Sequence, residues 1–439
     1  MRPRAQRTAS TSTPKAIGVD PCPCDPYRQR TRFPARIHVT RLSAPRRVGA
    51  ATAAAISSLL AIGLVATPVA AAGGSGVVWN WGANMYGQLG DGTLTAHRSP
   101  RLVPSLPELA AVEGGREHAL ALTSSGNVYA WGWNAYGQVG SGATGPTVAT
   151  PLRILSNVVD IGAGHYSSFA VTDDGSVWSW GRNDTGQLGD GTTTNRRLPV
   201  RVTGLASHTI VDVAGGRNHA MALADDGSVY AWGSNRYGQL GDGTFQSRHT
   251  ATRVGGLADA VRIFAGRDHS LAVAADGTVW GWGHNKYGQL ADGTLTNRST
   301  PRRATRLANG SVVALSNIVD VDAGAYHSLA RTSGGRLWSW GWNADGQLGN
   351  GTFRSRSRAV RVKSLSGVVD IAGGRESSIA VTADGVVHTW GENLFGQLGD
   401  GTTSDTGRTA PGVVPGIDQA IVVGMGRDYA MAIVVPSSP

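Results

Sequence analysis

The sequence predicts an all-β fold, a seven-bladed β-propeller with four-stranded blades. Three observations support this prediction. A tryptophan-containing segment occurs seven times at a period near 50 residues, short apolar runs alternate as half-buried strands do, and helical periodicity is nearly absent from residues 76–435. A period near 50 suits a four-stranded blade, because the coil of a solenoid is usually shorter.

The repeated segment has the form Trp-Gly-x-Asn-x-x-Gly-Gln, and successive tryptophans are 50, 49, 52, 50, 58 and 50 residues apart. We expect the tryptophans to fill the space between blades, and the amides to satisfy backbone groups in the turns, because a buried unpaired peptide group costs about 1–3 kcal/mol. The repeated residues are Trp81, Trp131, Trp180, Trp232, Trp282, Trp340 and Trp390; Asn84, Asn134, Asn183, Asn235, Asn285, Asn343 and Asn393; and Gln88, Gln138, Gln187, Gln239, Gln289, Gln347 and Gln397.

A second recurring element predicts the strands of each repeat. Alternating runs such as GREHALAL from Gly115 follow an apolar run such as VVDIGAG from Val158, and a Pro/Arg-bearing segment follows the GQLG turn. Dipeptides such as Asp174-Gly175 and Asp226-Gly227 separate two of the runs and predict hairpins with type I′ turns. Each repeat therefore has about four strands.

The two ends of the repeat region predict how the ring closes. The chain enters at GVVWNWG in the middle of a hairpin and leaves after AMAIVV at residues 430–435, the other half of that hairpin. Pairing of the N- and C-terminal strands in one blade would leave no open sheet edge along the ring.

The net charge of +10 is concentrated in the N-terminal part of the chain. Residues 1–72 carry 11 Lys and Arg against 2 Asp and Glu, whereas the rest carries 29 against 28, a net of +1. This balance argues against nucleic acid as a partner, since tight non-specific binding requires several phosphates to be neutralised at once.

Residues 1–72 are predicted to be a disordered prefix followed by a secretory signal peptide, with an apolar core at about 50–66 and cleavage near Ala72. A retained membrane anchor is the alternative interpretation of the apolar segment. The sequence does not decide between export by the Sec pathway and export by the twin-arginine pathway. Residues 73–439 form the predicted propeller domain, with repeats at 76–435. Both cysteines, Cys22 and Cys24, lie in the prefix, so the exported domain has neither a disulfide nor a thiol nucleophile.

No residue pattern predicts a catalytic site, a cofactor or a metal. His118, His219, His269 and His327 occupy the same place in four repeats, where the other repeats have Ser167, Ser377 and Tyr429. This recurrence favours a structural role, and a partial histidine cluster that binds metal near the axis is the alternative. The aspartates recur in turns and supply no unique acid/base pair.

The repeats V-x-x-W-G-x-N-x-x-G-Q-L-G-x-G, preceded by G-x-x-H-[AS]-x-A-L, resemble those of the regulator of chromosome condensation family over residues 76–435. The resemblance implies a seven-bladed propeller, and with the signal peptide it indicates an exported bacterial member. One family activity is guanine-nucleotide exchange on a small nuclear GTPase through a protruding wedge. Only the stretch between Trp282 and Trp340 has room for a wedge, and export would separate the chain from such a GTPase.

Two further activities of the family do not match the residues of this chain closely. Ultraviolet sensing uses tryptophans in a G-W-R-H-T context, where this chain has Arg116 and Arg217. An exported bacterial propeller inhibits β-lactamases through loops on one ring face; it shares export and blade number with this chain, but its repeats are shorter.

The leading hypothesis is an exported, monomeric scaffold that binds an unidentified extracellular protein through loops on a propeller face, so that the protein is secreted or associated with the cell envelope. Alternatives are carbohydrate binding by exposed aromatic residues and inhibition of an extracellular enzyme such as a β-lactamase. Contact residues are expected where repeats differ, because repeated residues maintain the fold. The candidates are Trp133, Trp342, Arg302, Arg303, Arg306, Arg354, Arg356 and Arg358. Solvated loop charges are the alternative interpretation of these arginines.

Overall fold

Residues 76–143 and 145–436 are described by a computed structural model. The predicted disordered prefix, signal peptide and cleavage site lie outside the described residues. Within the described part of the chain, no helix has the length and apolar character needed to cross a membrane.

Seven sheets form the fold of the described residues, antiparallel except where β19 pairs with β24, and we number the blades in the order of the repeated tryptophans. The strands of blade 1 are β1 Val77–Gly82, β2 His97–Leu102, β29 Ala420–Met425 and β30 Tyr429–Val434; those of blade 2 are β3 Leu109–Gly114, β4 His118–Thr123, β5 Val128–Trp133 and β6 Thr147–Leu155. Blade 3 has β7 Val158–Ala163, β8 Ser167–Thr172, β9 Val177–Gly181 and β10 Arg196–Arg201; blade 4 has β11 Ile210–Gly215, β12 His219–Ala224, β13 Val229–Gly233 and β14 Arg248–Arg253.

The remaining blades follow the same plan, with one addition. Blade 5 has β15 Ala260–Ala265, β16 His269–Ala274, β17 Val279–Gly283 and β18 Arg298–Arg303; blade 7 has β25 Val368–Gly373, β26 Ser377–Thr382, β27 Val387–Asn393 and β28 Ser404–Val413. Blade 6 has β21 Ile318–Ala323, β22 His327–Thr332, β23 Leu337–Gly341 and β24 Arg356–Arg361. A hairpin of β19 Thr305–Ala308 and β20 Ser311–Ala314 adds to its outer edge, and it accounts for the longest spacing between tryptophans.

The innermost strand is β29 in blade 1 and the first strand along the chain in each other blade, and the inner strands of neighbouring blades pack on one another around the ring, including β29 on β3. In blade 1, β30 pairs with β1 in an antiparallel register that places Ala432 opposite Trp79. The predicted seven-bladed propeller, closed by its two terminal strands, is therefore confirmed.

The hairpin turns differ from the predicted type I′ turns. Gly175 N–H donates to Thr172 O at 2.9 Å and Thr172 N–H donates to Ser176 O at 2.9 Å, which encloses a three-residue loop. Only Gly175 in this loop has a positive φ, 77°, and Asp174 Oδ1 accepts the Ser176 N–H at 2.9 Å. The type I′ assignment is wrong because aspartate acts here through its side chain, and the glycine alone supplies the left-handed residue.

The seven repeated tryptophans are fully buried between blades. Each indole N–H donates to the carbonyl of the repeated glutamine in the preceding blade, as Trp180 does to Gln138 O at 3.0 Å. A Cβ on Gly140, φ 83°, would lie 2.7 Å from the Trp180 Nε1, so glycine is what allows this approach. Burial of about 200 Å² contributes at most about 5 kcal/mol per ring.

The repeated asparagine and glutamine hold the turn that follows each tryptophan. Asn183 Oδ1 accepts the Leu188 N–H at 2.9 Å, and its amide group donates to Asp190 Oδ1 at 3.0 Å. Gln187 Oε1 accepts the Thr185 N–H at 2.9 Å. Both amides therefore satisfy backbone groups that the turn would otherwise leave without a partner.

The recurring histidines form hydrogen bonds between blades. His118 Nε2 lies 3.0 Å from Ser168 Oγ, which donates to Gln138 O at 2.8 Å. We call this arrangement the His–Ser bridge, and it recurs as His219–Ser270, His269–Ser328 and His327–Ser378. Since the serine gives its only proton to the carbonyl, the imidazole donates from Nε2. Burial lowers the pKa of His118 to about 3, so the ring is neutral.

The three remaining blade boundaries show why Ser167, Ser377 and Tyr429 take the place of histidine in their repeats. There the next blade has alanine in place of the serine, and the histidine position holds another residue. These pairs are Ser167 with Ala220, Ser377 with Ala430, and Tyr429 with Ala119. Histidine thus occurs where the neighbouring blade offers a hydroxyl. Among the described residues, no group of three or more His, Cys, Asp or Glu side chains is arranged to hold a metal ion.

Candidate functional site on the axial face

One end of the ring is built from the seven turns that join the innermost strand of each blade to the strand beside it. Backbone hydrogen bonds between neighbouring blades draw these turns together, such as Arg116 N–H to His165 O at 3.1 Å and Arg375 N–H to Arg427 O at 3.3 Å. We call this end the axial face. Its first turn positions are Arg116, His165, Arg217, Arg267, Ala325, Arg375 and Arg427, and its second positions are Glu117, Tyr166, Asn218, Asp268, Tyr326, Glu376 and Asp428.

A network of ion pairs crosses blade boundaries near the axis. Glu117 Oε1 lies 3.2 Å from both Arg116 Nε and Arg427 Nη1. Asp428 lies 3.1 Å from Arg427 Nε and 3.4 Å from Arg375 Nη1. Burial disfavours the charged form of Arg427, but the Asp428 and Glu117 carboxylates outweigh burial and raise its pKa. The centre of the face is therefore charged and internally paired.

His165 breaks this arginine pattern at the axis. It is 5% exposed and stacks on Tyr166 with ring centroids 4.0 Å apart. Burial, together with the positive charges of Arg116 and Arg217, lowers its pKa well below the usual value, so the ring is neutral at physiological pH.

An aromatic cluster surrounds Trp133, one of the predicted contact residues. Its ring lies 4.8 Å from Tyr166, 5.5 Å from Tyr86 and 5.5 Å from Tyr136, measured between centroids. Trp133 is 9% exposed as a result. Trp133 therefore packs beneath the axial face and contributes little to its exposed surface.

A second aromatic cluster on the same face contains Trp342, the other predicted tryptophan. Trp342 lies 4.5 Å from Tyr287, which lies 5.0 Å from Tyr326. His284 continues the cluster to Tyr237 at 4.7 Å. The two predicted tryptophans thus share the axial face but belong to separate clusters, one at blades 1 to 3 and the other at blades 4 to 6.

The most exposed positions of this face were not among the contact residues predicted from the sequence. The residue after each repeated asparagine points to the outside of the turn, and Met85 there is 50% exposed. The other exposed residues at this position are Ala135, Asp184, Arg236, Lys286 and Ala344. The charge and size of this residue change from blade to blade, although the flanking Asn and Gly-Gln are repeated in every blade. That contrast was the signal available in the sequence.

The structure places the predicted arginines on the strands β18, β19 and β24 at the outer side of the blades and in the turn that precedes β24. Those residues are Arg302, Arg303, Arg306, Arg354, Arg356 and Arg358. The guanidinium of Arg303 lies 5.1 Å from the Trp280 ring centroid, and that of Arg306 lies 5.4 Å from Trp338. Strand β19 pairs in parallel with β24 at Arg306 and Ala359, which brings Arg306 beside blade 6.

The fold and the variable face define a repeat propeller of the scaffold type. The chain belongs to the RCC1-like domain family, whose model matches residues 77–432. That match covers the seven tryptophan repeats from the first strand of the ring to the last.

Two curated relatives share parts of this sequence. The ultraviolet-B receptor UVR8 of Arabidopsis thaliana is 34% identical over 295 residues, covering 65% of this chain and 66% of the receptor. The E3 ubiquitin-protein ligase HERC2 of Homo sapiens is 33% identical over 190 residues, covering 42% of this chain and 4% of the ligase. The chain thus spans less than two thirds of either relative.

Solved structures show the same fold. Prp20p of Saccharomyces cerevisiae, whose structure was reported with its binding properties to Gsp1p and histones, matches with a TM-score of 0.72 and 24% identity over 83% of this chain and 93% of its own. Human WBSCR16 matches with a TM-score of 0.71 and 23% identity over 82% of this chain and 99% of its own.

Proposed function

We propose that this chain is a scaffold that recognises a protein partner through its axial face. The observation that carries the proposal is the contrast between the fixed and the variable positions of each turn. The repeated Asn and Gln hold the backbone, while the exposed residue beside them changes from Met85 to Asp184 to Lys286. A rigid frame with variable exposed side chains loses little conformational entropy on binding, which favours specific recognition.

The chemistry of the face suits a protein more than a glycan. Sugars bind to aromatic rings that are open on one side, whereas Trp133 is enclosed by three tyrosines. Aromatic clusters beside arginines are typical of the central residues of protein interfaces. Protein binding by Prp20p, which has the same fold, agrees with this proposal.

We further propose that the propeller is exported, as the predicted signal peptide of a bacterial member indicates, and that its partner is extracellular. Inhibition of an extracellular enzyme is one form of this function. Nucleotide exchange on a cytosolic or nuclear GTPase would be incompatible with export. Ultraviolet sensing is not proposed, since arginine occupies the turn positions Arg116 and Arg217.

Crosslinking of the full chain in its native medium, followed by mass spectrometry, tests the proposal. We expect one protein to be enriched with the wild type and to be reduced at least fivefold with Lys286→Glu on the axial face. Arg336→Glu is the matched control, because it reverses an exposed cation beside a hairpin turn at the opposite end of the strands. Recovery of glycan without protein, or equal loss with both variants, would refute the proposal.

A further inference from the structure

An acid–base pair recurs on the outer side of the blades. The aspartate of the GQLGDG turn uses Oδ1 to hold the turn, as Asp190 does with the Thr192 N–H at 3.0 Å, and uses Oδ2 to bind a cation on the outer strand, as with Arg196 at 2.7 Å. The other pairs are Asp91 with His97, Asp242 with Arg248, Asp292 with Arg298, and Asp400 with Arg408. Each of these outer-strand bases faces a carboxylate.

Two blades lack this aspartate, but only one of them keeps the basic residue of the outer strand. Blade 2 has Ser141 and Thr147, so both members of the pair are missing. Blade 6 has Asn350 in place of the acid but keeps the base, Arg356. Asn350 Oδ1 still accepts the Thr352 N–H, at 3.1 Å, so the turn is held as in the other blades. What blade 6 lacks is the second carboxylate oxygen, the atom that elsewhere binds the arginine.

Arg356 is therefore a half-buried cation whose usual partner is gone. Its Nε is buried and has no hydrogen-bond acceptor among the described residues, and the same holds for the Nε of Arg358 two positions along β24. Partial burial raises the cost of an uncompensated charge and strengthens its attraction to an anion. The pair of arginines is thus suited to an anionic ligand from outside.

A groove of about 900 Å³ opens at these arginines. Arg356, Arg358, Arg361 and Lys363 line it, and none of the described residues that line it carries a carboxylate. Its apolar part is formed by Trp338 and by Leu307 of the β19–β20 hairpin, which is 60% exposed. The hairpin of the longest repeat thus adds an apolar wall beside the basic strand of blade 6.

We propose that this groove, the blade 6 groove, binds an acidic peptide segment of a partner protein, with carboxylates on the arginines of β24 and an apolar side chain against Leu307. Arg306 lies over the Trp338 ring at 5.4 Å, so this ring offers no open platform for stacking a sugar or a base. That contact favours a peptide over a sulfated glycan or a nucleic acid. The site lies on the outer edge of the ring and does not depend on the function proposed for the axial face.

Fluorescence polarisation with the full chain and a fluorescein-labelled ten-residue peptide of alternating Glu and Leu tests this proposal. Asn350→Asp restores the carboxylate found in five other blades, so we expect it to weaken binding about tenfold by occupying Arg356. Ser141→Asp makes the same charge change in the matching turn of blade 2, where position 147 is threonine, and should change the affinity less than twofold.

Arg358→Gln provides a second variant and should also weaken the peptide about tenfold, since each charged contact contributes on that scale. Urea unfolding of Asn350→Asp should give an unchanged or higher midpoint, which separates loss of binding from loss of fold. No peptide binding by the wild type, equal effects of Asn350→Asp and Ser141→Asp, or binding of a heparin oligosaccharide or single-stranded DNA in place of the peptide would overturn the proposal.

Discussion

The His–Ser bridge makes a quantitative prediction about stability. Ser270 is fully buried between blades 4 and 5, where it accepts from His219 Nε2 at 3.1 Å and donates to Gln239 O at 2.8 Å. The variant Ser270→Ala removes both bonds. Gln239 O keeps the indole N–H of Trp282 at 3.0 Å, so the main loss falls on His219, whose buried Nε2–H is left without its acceptor.

The magnitude follows from the two lost bonds. A serine–carbonyl hydrogen bond contributes about 1 kcal/mol net, and a buried donor left without an acceptor costs about 1–3 kcal/mol more. Ser270→Ala should therefore lower the free energy of unfolding by about 2–4 kcal/mol. Ser179 is the matched control: it is equally buried and donates to Leu188 O at 2.7 Å. Because no histidine donates to it, Ser179→Ala should cost only about 1 kcal/mol.

Urea unfolding of the full chain, followed by tryptophan fluorescence and far-ultraviolet circular dichroism, measures both effects. In a His219→Ser background there is no imidazole to leave unpaired, so Ser270→Ala should cost about 1–3 kcal/mol less than in the wild type, a coupling energy within the range seen for contacting residues. Equal costs for Ser270→Ala and Ser179→Ala, or additive effects in the double variant, would refute the proposed role of the bridge.

Two further predictions concern pH and ring closure. Burial lowers the pKa of His118 and of His327 to about 3, below the unfolded value, so the unfolded state binds more protons between pH 6.5 and 3. These two residues should cost no stability above pH 6.5 and lower the free energy of unfolding by about 3 kcal/mol per pH unit near pH 5. Urea midpoints at pH 7 and pH 5 will measure this change, and a flat profile would contradict it. Ala432→Pro in β30, which lies between β1 and β29, should lower the unfolding free energy by about 3 kcal/mol or more, whereas outer strands already contain Pro199 and Pro301. A cost below about 1 kcal/mol in the same urea assay would argue against closure through this strand.

The fold was predictable because the spacing of a few repeated residues identifies each blade. Seven Trp-Gly-x-Asn-x-x-Gly-Gln segments gave the blade number, and the split hairpin at the ends gave the closure between β1 and β30. The turn type was not predictable from Asp-Gly alone. Asp174 acts through its side chain, so only one residue of the loop needs a positive φ, and a two-residue turn was the wrong inference.

The candidate sites could be predicted only in part. Trp133 and Trp342 were singled out as departures from the repeat, and both lie on the axial face, but their exposure depends on tyrosines contributed by neighbouring blades. Arg306 and Arg356 were grouped by composition. The pairing of β19 with β24 places Arg306 opposite Ala359, 53 residues further along the chain, and neither strand determines that contact alone.

The sequence by itself determined the number of blades, the four strands of each blade and the strand that closes the ring, because these depend on local periodicity and its repetition. The tertiary structure decided which side chains meet across blade boundaries, such as the histidine with its serine and the arginines with the acids of the next turn. It also leaves the buried Nε of Arg356 without an acceptor among the described residues. Such contacts arise from the register and stacking of separate sheets, and they are fixed only once all seven blades are in place.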